Sequence, residues 1–414
     1  MSDADVTGQT NPPIPLRQRL AILAPRFIRE GSLYAAFIVL FIVGCFVSED
    51  FLTADNQKAV LRQISENGIV AVGMTLVIVT AGIDLSVGRM LGLASTLAAM
   101  LLTGRQWTAA TWFALPAAMA VAGFLLALLA RALLVKNRDD PRARPVAVVA
   151  FLVGAVLVGA WTIPQVRSGL GIPAVVVVVP LTGLLLGSVS GLIVAKCRLQ
   201  PFIVTLAMMT SAWGAARLIA RSDGGGAYIH QVYEWEVPGL PALRRQVFNL
   251  LPVPGIFFLV CLLIGWFILS RLRFGRYIYA IGGNEETARL SGINVDRVKI
   301  AVYAVSGMLA CLAGVLDCAQ YQQGTPEAGA GGELDAIAAV VIGGTSLMGG
   351  RGRMIGTLIG VLIFGYLTNI LQLCGVHTDV QLFITGAIIV LAVLLQEGFV
   401  ERWIHRCRDR RDAS

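Results

Sequence analysis

The sequence has few charged residues for its length, and its basic residues are almost all arginine. Only 14% of the 414 residues are charged and 56% are apolar, whereas about a quarter of an ordinary soluble domain is charged. A chain of this composition could not cover its own surface in water, so a soluble globular enzyme is excluded. None of the four lysines follows a glycine, so no Walker A phosphate loop is present and ATP hydrolysis by this chain is not expected.

The cysteines are too scattered along the sequence to indicate a disulfide framework. The seven cysteines are odd in number and never form a Cys-x-x-Cys or Cys/His cluster, so neither disulfides nor a zinc site is indicated. The net charge of +8 would suit either nucleic acid or an acidic membrane surface, and the positions of the charges decide between them. We predict no metal site, no catalytic residue, no cofactor bound by this chain and no nucleic-acid partner.

Long apolar runs dominate what is present. A membrane-spanning helix needs about 20 mainly apolar residues, and fewer suffice in a broken or re-entrant element. This length predicts an all-α polytopic membrane protein with about twelve transmembrane segments, some of them broken or re-entrant. The segments lie near residues 31–48, 58–80, 85–103, 109–131, 145–163, 171–195, 199–220, 251–270, 299–320, 334–349, 354–373 and 380–396.

The basic residues give an orientation, because cytoplasmic loops carry an excess of Lys and Arg. With the N-terminus inside, 24 of the 33 basic residues fall in loops and tails assigned to the cytoplasm. Dropping any one segment would reverse every later loop, so both termini are predicted to be cytoplasmic. Residues 1–30 are predicted to form a cytoplasmic tail with a basic patch at the membrane edge, and residues 397–414 are predicted to form a basic cytoplasmic tail. They flank a transmembrane domain over residues 31–396.

The long outer loop, residues 221–250, holds Tyr228, Tyr233 and Trp235. Aromatic residues at this height are typical interfacial anchors. A lid, or a docking surface for an external partner, is the alternative interpretation.

The long inner loop, residues 271–298, specifies a short helix. Asn284 is a good N-cap, acidic residues follow in the first turn, and Gly292 is placed to end the helix. A helix of about two turns is marginal alone in water. We therefore expect it to lie on its own membrane domain or on a partner, unless it is only a capped loop helix.

Asp84 stands out because ionisable residues within the membrane are costly. It lies between two apolar segments that have almost no loop between them, and Gly82 and Gly88 permit a broken backbone there. Asp84 either caps the helix that begins near Ser86, which is the preferred interpretation, or lines a pathway.

A second break resembles the first. Residues 77–92 and 341–356 match at six of sixteen positions at a constant offset, with Met348 in the place of Asp84. Paired broken helices in two halves point to a transport pathway. Chance similarity between two Gly-rich apolar stretches is the alternative.

Several motifs together carry a family resemblance. They are Thr80–Gly88 (TAGIDLSVG), Gln200–Thr205 (QPFIVT), Gly282–Val295 in the inner loop, Glu333–Leu347 (ELDAIAAVVIGGTSL) and Gly349–Arg353 (GGRGR). From about residue 30 to 396 the chain resembles the permease subunits of bacterial ribose, xylose and galactose ABC importers. The chain departs from ribose-type members in one place. An apparent extra hairpin at about 145–195 is added to ten core segments and resembles a hairpin of the longer, xylose-type relatives.

The resemblance implies partners and a mechanism. A second permease copy, a cytoplasmic ATPase that binds ATP and Mg, and a periplasmic sugar-binding protein are expected, in the bacterial inner membrane. A monosaccharide would pass along the dimer axis. The implied surface for coupling to the ATPase comprises Asn284, Glu285, Glu286, Thr287, Ala288, Arg289, Leu290 and Gly292. Of these, Ala288, Leu290 and Gly292 are expected to fit the partner's cleft.

The residues assigned to the pathway or to the broken helices are Gly82, Asp84, Ser86, Gly88, Glu333, Asp335, Gly343 and Gly344. A proton- or sodium-coupled secondary transporter is the second hypothesis. It would require a titratable relay within the membrane, for which Glu66, Asp84, Asp317, Glu333 and Asp335 are the candidates, the last three near the outer ends of their segments. A membrane scaffold without transport is disfavoured by the broken helices.

Overall fold

The computed structural model describes residues 16–104, 107–134, 143–221, 229–247 and 251–396, and helices dominate these ranges. The α-helices are α1 (Leu16–Val47), α2 (Ala54–Val79), α3 (Val87–Thr103), α4 (Ala109–Leu134), α5 (Ala143–Thr162), α6 (Ile172–Lys196), α7 (Pro201–Arg221), α8 (Leu240–Arg244), α9 (Val253–Arg271), α10 (Arg273–Gly283), α11 (Glu285–Leu290), α12 (Val295–Tyr321), α13 (Gly332–Ile342), α14 (Met354–Leu373) and α15 (Thr378–Gln396). The short strands are β1 (His230–Gln231), β2 (Gln246–Val247), β3 (Leu251–Pro252) and β4 (Gln323–Gly324). β1 pairs with β4 and β2 with β3, both antiparallel.

Within the described ranges, seven helices are long and apolar enough to cross a membrane. They comprise residues Ala109–Arg131, Pro145–Val166, Ile172–Lys196, Pro201–Arg221, Val253–Arg271, Val295–Tyr321 and Met354–Leu373. Every predicted apolar segment overlaps a helix, so the predicted class of a helical membrane protein with several spans is confirmed. The count of about twelve spans stays a prediction, since the other helices are shorter or more polar. The first helix begins at Leu16, inside the range assigned to the N-terminal tail.

Helix α12 lies at the centre of the helical bundle, packed against α6, α3 and α2. Its contact with α6 is the most extensive in the described chain, and small residues explain it. Gly183, Gly187 and Gly191 repeat at four-residue intervals along α6. A Cβ atom on Gly183 would lie 2.3 Å from the carbonyl oxygen of Gly307 in α12, so only glycine permits this approach of the two backbones.

The extra hairpin at 145–195 stays a prediction, and the packing shows which neighbours its two helices have. The two helices in this range, α5 and α6, do not pair extensively with each other: α5 packs mainly against α4, whereas α6 packs against α12. Hydropathy locates a span but not its neighbours, and the glycine stripe that joins α6 to the core carries no hydropathy signal. The second helix of the range therefore belongs to the core of the fold.

Both predicted breaks are present, and they meet in space. Helix α2 ends at Val79 and α3 begins at Val87; helix α13 ends at Ile342 and α14 begins at Met354. The N–H of Gly350, in the second break, donates to the carbonyl oxygen of Val79 at 2.9 Å. The repeat therefore has the predicted helix–break–helix layout in both halves, and backbone hydrogen bonding joins the two breaks.

A further stretch without helix, residues 325–331, lies along α3 before α13 begins. The backbones touch: a Cβ on Gly88 would lie 2.5 Å from the carbonyl oxygen of Gly329. Irregular backbone at membrane depth is tolerated only where it is buried in protein or lines a water-filled cavity. This stretch therefore marks an internal surface of the protein.

Candidate functional site

Asp84 lies in the first break and is almost completely buried, with 1% of its surface exposed. One carboxylate oxygen accepts from the backbone N–H of Ser86 at 3.1 Å and from the hydroxyl of the same serine. The other accepts from the hydroxyl of Ser306, on α12, at 2.8 Å. The carboxylate therefore fastens the break to the central helix of the bundle.

The capping interpretation of Asp84 is supported in a modified form. The residue binds the amide of Ser86, which immediately precedes the first residue of α3, so it caps the turn that leads into the helix. The bond to Ser306 was not predicted, since the two residues are far apart in sequence. No local pattern signals such a pair.

The remaining pathway candidates divide between two places. Gly82, Ser86 and Gly88 are buried around Asp84, and a Cβ on Gly88 would collide with the Glu333 carboxylate, so these residues come together. Glu333 and Asp335 begin α13, next to this cluster. Gly343 and Gly344 lie at the far end of α13, where the second break starts.

Sequence reasoning missed a charged and aromatic cluster beside these residues. Arg89, in the first turn of α3, forms an ion pair with Glu327 at 2.9 Å. The indole N–H of Trp213, on α7, donates to the other oxygen of Glu327 at 3.0 Å. An arginine directly after the first glycine of an apolar helix was the only available signal.

The inner loop folds as predicted. The side chain of Asn284 accepts from the N–H of Thr287 at 2.8 Å, which caps α11. The helix ends at Leu290, and Gly292 follows with a φ of +82°, a conformation that glycine adopts without steric cost. The predicted short helix is therefore confirmed at both ends.

Ion pairs hold this short helix onto the first turns of α12. Glu285 pairs with Lys299 at 2.6 Å and with Arg289 at 3.3 Å, and Arg289 also pairs with Asp296 at 3.2 Å. Lys196, at the end of α6, reaches Asp296 at 3.2 Å. Burial alone would raise the pKa of Glu285, but the bonds and charges of Lys299 and Arg289 outweigh it and hold the pKa below its usual value.

One of the residues assigned to the coupling surface faces inward. Ala288 is 3% exposed and packs into the hydrophobic core of its own chain. The expectation that Ala288 fits a partner's cleft is therefore wrong, because the face of α11 that carries Ala288 packs against the rest of its own chain. Leu290 is 84% exposed, and Gly292 and the other predicted residues are exposed as well.

Helix α10, which precedes this loop helix, touches both breaks. The hydroxyl of Tyr279 donates to the carbonyl oxygen of Gly352 at 2.7 Å. Gly282 lies so close to Val79 and Gly350 that a Cβ atom would collide with both backbones. The α10–α11 unit and the two breaks therefore form one packed structure.

The described part of the predicted outer loop, residues 229–247, is folded onto the ends of α3 and α12. The N–H of Val232 donates to the carbonyl oxygen of Gln322 at 2.8 Å, and His230 bonds the hydroxyl of Thr103. Tyr233 and Trp235 stack with ring centroids 5.7 Å apart and are exposed. A cavity of about 480 Å³ beside them is lined by Arg62, Glu234, Pro241, Ala242, Arg244 and Arg245.

Comparison with known proteins shows which family the chain belongs to. A family model described as branched-chain amino acid transport system / permease component matches residues 57–163 and 146–393. The chain belongs to this permease family. It is therefore a multi-pass membrane component of a transport system, of the inner membrane, and not an enzyme.

Curated relatives cover most of the chain. The ribose import permease protein RbsC of Escherichia coli K12 is 38% identical over 372 residues, spanning 89% of this chain and 94% of the relative. The RbsC protein of Bacillus subtilis 168 is 38% identical over 366 residues, spanning 88% and 91%. The xylose transport system permease protein XylH of E. coli K12 is 32% identical over 387 residues, spanning 85% and 87%. No solved structure matches the chain.

Proposed function

We propose that the protein is the transmembrane permease subunit of an ATP-binding cassette importer for a monosaccharide, xylose-like or ribose-like. The sugar is delivered by a periplasmic binding protein, and a separate cytoplasmic ATPase that binds ATP and Mg drives transport. A second copy of the permease completes the passage, and about twelve segments with both termini in the cytoplasm embed each copy in lipid. The relatives that carry ribose and xylose in their names support this proposal.

The observation that carries the mechanism is the placement of α11. This short helix is capped, largely exposed and tied by ion pairs to α12, the helix that also holds Asp84. A partner that grips the exposed face therefore acts on the centre of the bundle and, through α10, on both breaks. ATP binding to that partner would rock the permease and open the passage.

The test uses Leu290, which projects from α11. Leu290→Arg leaves the buried side of the helix untouched, and Arg is a good helix former. We expect the variant to reach the membrane in normal amount, to lose co-purification of the ATPase, and to lose ATP-dependent sugar uptake. Leu52→Arg is the matched control. Leu52 is also exposed, but it lies before the start of α2, whereas α10 meets the opposite end of that helix. This variant should keep both co-purification and uptake.

Normal co-purification and normal uptake in Leu290→Arg would remove the coupling role from this helix. Uptake by proteoliposomes of the purified complex, supplied with ATP or with a proton or sodium gradient, tests the energy source. Among the relay candidates of the secondary-transporter alternative, Glu66 and Asp317 lie within α2 and α12, and one oxygen of Glu66 has no hydrogen-bond partner among the described residues. Uptake driven by a gradient without ATP would establish that alternative.

A further inference from the structure

A charged and aromatic cluster lies beside the first break, apart from the loop helix and its contacts. Four residues from three separate stretches form it: Arg89 on α3, Trp213 and Arg217 on α7, and Glu327 in the irregular stretch 325–331. The guanidinium carbons of Arg89 and Arg217 lie 4.8 and 5.0 Å from the indole ring of Trp213. Each guanidinium is close enough for a cation–π contact.

The cluster lies at membrane depth. Trp213 is near the middle of α7, which is long and apolar enough to span the bilayer. Nearer the start of the same helix, the hydroxyl of Thr205 donates to the carbonyl oxygen of Ile83 in the first break, which fixes the break alongside α7. Arg89 therefore lies beside the middle of α7, whereas the first break lies beside the start of α7.

The position excludes contact with lipid. A charged side chain at the centre of a bilayer costs about 2.5 to 3.5 kcal/mol on insertion scales. The Glu327 side chain is 53% exposed in the single chain, and the backbone around it is not helical. Exposed carboxylate and irregular backbone at this depth face water or protein.

The chemistry of the cluster suits a neutral solute with several hydroxyls. Arg89 and Arg217 supply positive charge and Glu327 supplies negative charge, so the wall presents groups of both signs and both donors and acceptors of hydrogen bonds. Each oxygen of Glu327 uses one lone pair on its protein partner and keeps another for a hydroxyl donor. One buried oxygen of Glu333 has no partner among the described residues.

We propose that Arg89, Trp213 and Glu327 form a sugar-contacting site in the translocation passage, with Glu327 accepting and Arg89 donating hydrogen bonds to sugar hydroxyls. This inference rests on the proposed function and adds the residues that select the solute. It requires Glu327 to lie in a water-filled passage. An ion pair between Arg89 and Glu327 that only held α3 against residues 325–331 would not require water around it.

Water access is tested first, without need of transport. Single cysteines replace Glu327 or the neighbouring exposed Ala330 in a Cys-free background, and membrane vesicles are treated with a charged, impermeant thiosulfonate reagent. Both positions should react. Leu263→Cys is the control, since Leu263 is 61% exposed on the apolar span α9 and a cysteine there should not react with the charged reagent. Failure of both test positions to react with the charged reagent would overturn the proposal.

Solute contact is tested next with Glu327→Gln, Arg89→Gln and the charge swap Arg89→Glu with Glu327→Arg. The assay is uptake of labelled ribose, xylose and galactose by the native host carrying each variant as its only copy. We expect normal membrane abundance and ATPase co-purification in the single variants, with uptake lowered about tenfold or more, the equivalent of about 1.4 kcal/mol. The swap should not restore uptake.

Two results contradict the inference. Wild-type uptake in both single variants would show that the sugar does not depend on these groups. Low abundance in the single variants, restored together with uptake by the swap, would show a purely structural ion pair. Neither result touches the proposed function, which is judged by ATP-driven uptake in the unaltered protein.

Discussion

Removing the acceptor at Asp84 should destabilise the protein more than removing one of its donors. Asp84→Ala leaves three buried donors without their acceptor: the N–H and hydroxyl of Ser86 and the hydroxyl of Ser306. An unsatisfied buried polar group costs about 1 to 3 kcal/mol. Because a hydroxyl can rotate toward another acceptor, we expect a total near the lower end of the sum for three groups, about 3 to 5 kcal/mol.

The conservative variant should behave differently. Asp84→Asn keeps one acceptor oxygen for Ser86, and its amide group can donate to the hydroxyl oxygen of Ser306. We expect a cost of about 1 kcal/mol or less, comparable with a weakened cap. Ser306→Ala leaves one buried carboxyl oxygen of Asp84 without its donor and should cost about 1 to 3 kcal/mol.

Ser190→Ala is the matched control for Ser306→Ala. Both serines are 1% exposed and lie in the α6–α12 region, but the hydroxyl of Ser190 has no partner among the described residues. The control should be neutral or slightly stabilising. The measurement is membrane abundance together with the temperature at which half of the detergent-solubilised protein loses its gel-filtration peak.

The expected order of stability is Ser190→Ala, then Asp84→Asn, then Ser306→Ala, with Asp84→Ala lowest. Equal stability of all four variants, with transport lost equally in Asp84→Asn and Asp84→Ala, would refute the structural role. Asp84 would then act as a charged residue of the pathway.

Three further predictions concern packing, orientation and pH. Gly282→Ala should lower membrane abundance because its Cβ would meet two backbones, whereas Gly283→Ala has open space and should be tolerated; immunoblots of membranes compare the two. In a Cys-free background, Trp235→Cys should react with an impermeant maleimide in intact cells and Leu290→Cys only after permeabilisation; the reverse result would invert the topology. The bonds that lower the pKa of Glu285 stabilise the α11–α12 junction above the ordinary carboxyl pKa of about 4.3. This stability is lost as the pH falls through the lower, folded value, so hydrogen exchange over 285–290 should lose protection in acid. Glu285→Gln should reduce that pH dependence, and the ion pair between Arg289 and Asp296 should supply the remainder.

Local features were predictable from the sequence because their causes are local. Asn284 and Gly292 delimit α11 through bonds and dihedral angles within a few residues of each other. The breaks near residues 80–86 and 343–353 follow from glycines between apolar runs. Apolar run length located the helices, although it could not settle how many of them span the membrane.

Features that depend on distant partners were not predictable. Whether Ala288 faces a partner or its own chain depends on how α12 approaches α11, and the sequence does not state this. The same reason hid the bond between Asp84 and Ser306 and the ion pair between Arg89 and Glu327. The pairing of α6 with α12 left one readable sign, the glycines at positions 183, 187 and 191, whose spacing permits close helix packing.

The arrangement of these contacts has a mechanical consequence. Glu285 and Arg289 fix α11 to the start of α12, and Ser306, three turns further along α12, holds the first break through Asp84. Independently, α10 contacts both breaks through Tyr279 and Gly282. A displacement of α11 would therefore be transmitted to the first break through both α12 and α10, and to the second break through α10. Because Gly350 is also bonded to the end of α2, neither break can move far without the other, so the two broken helices are expected to change position together.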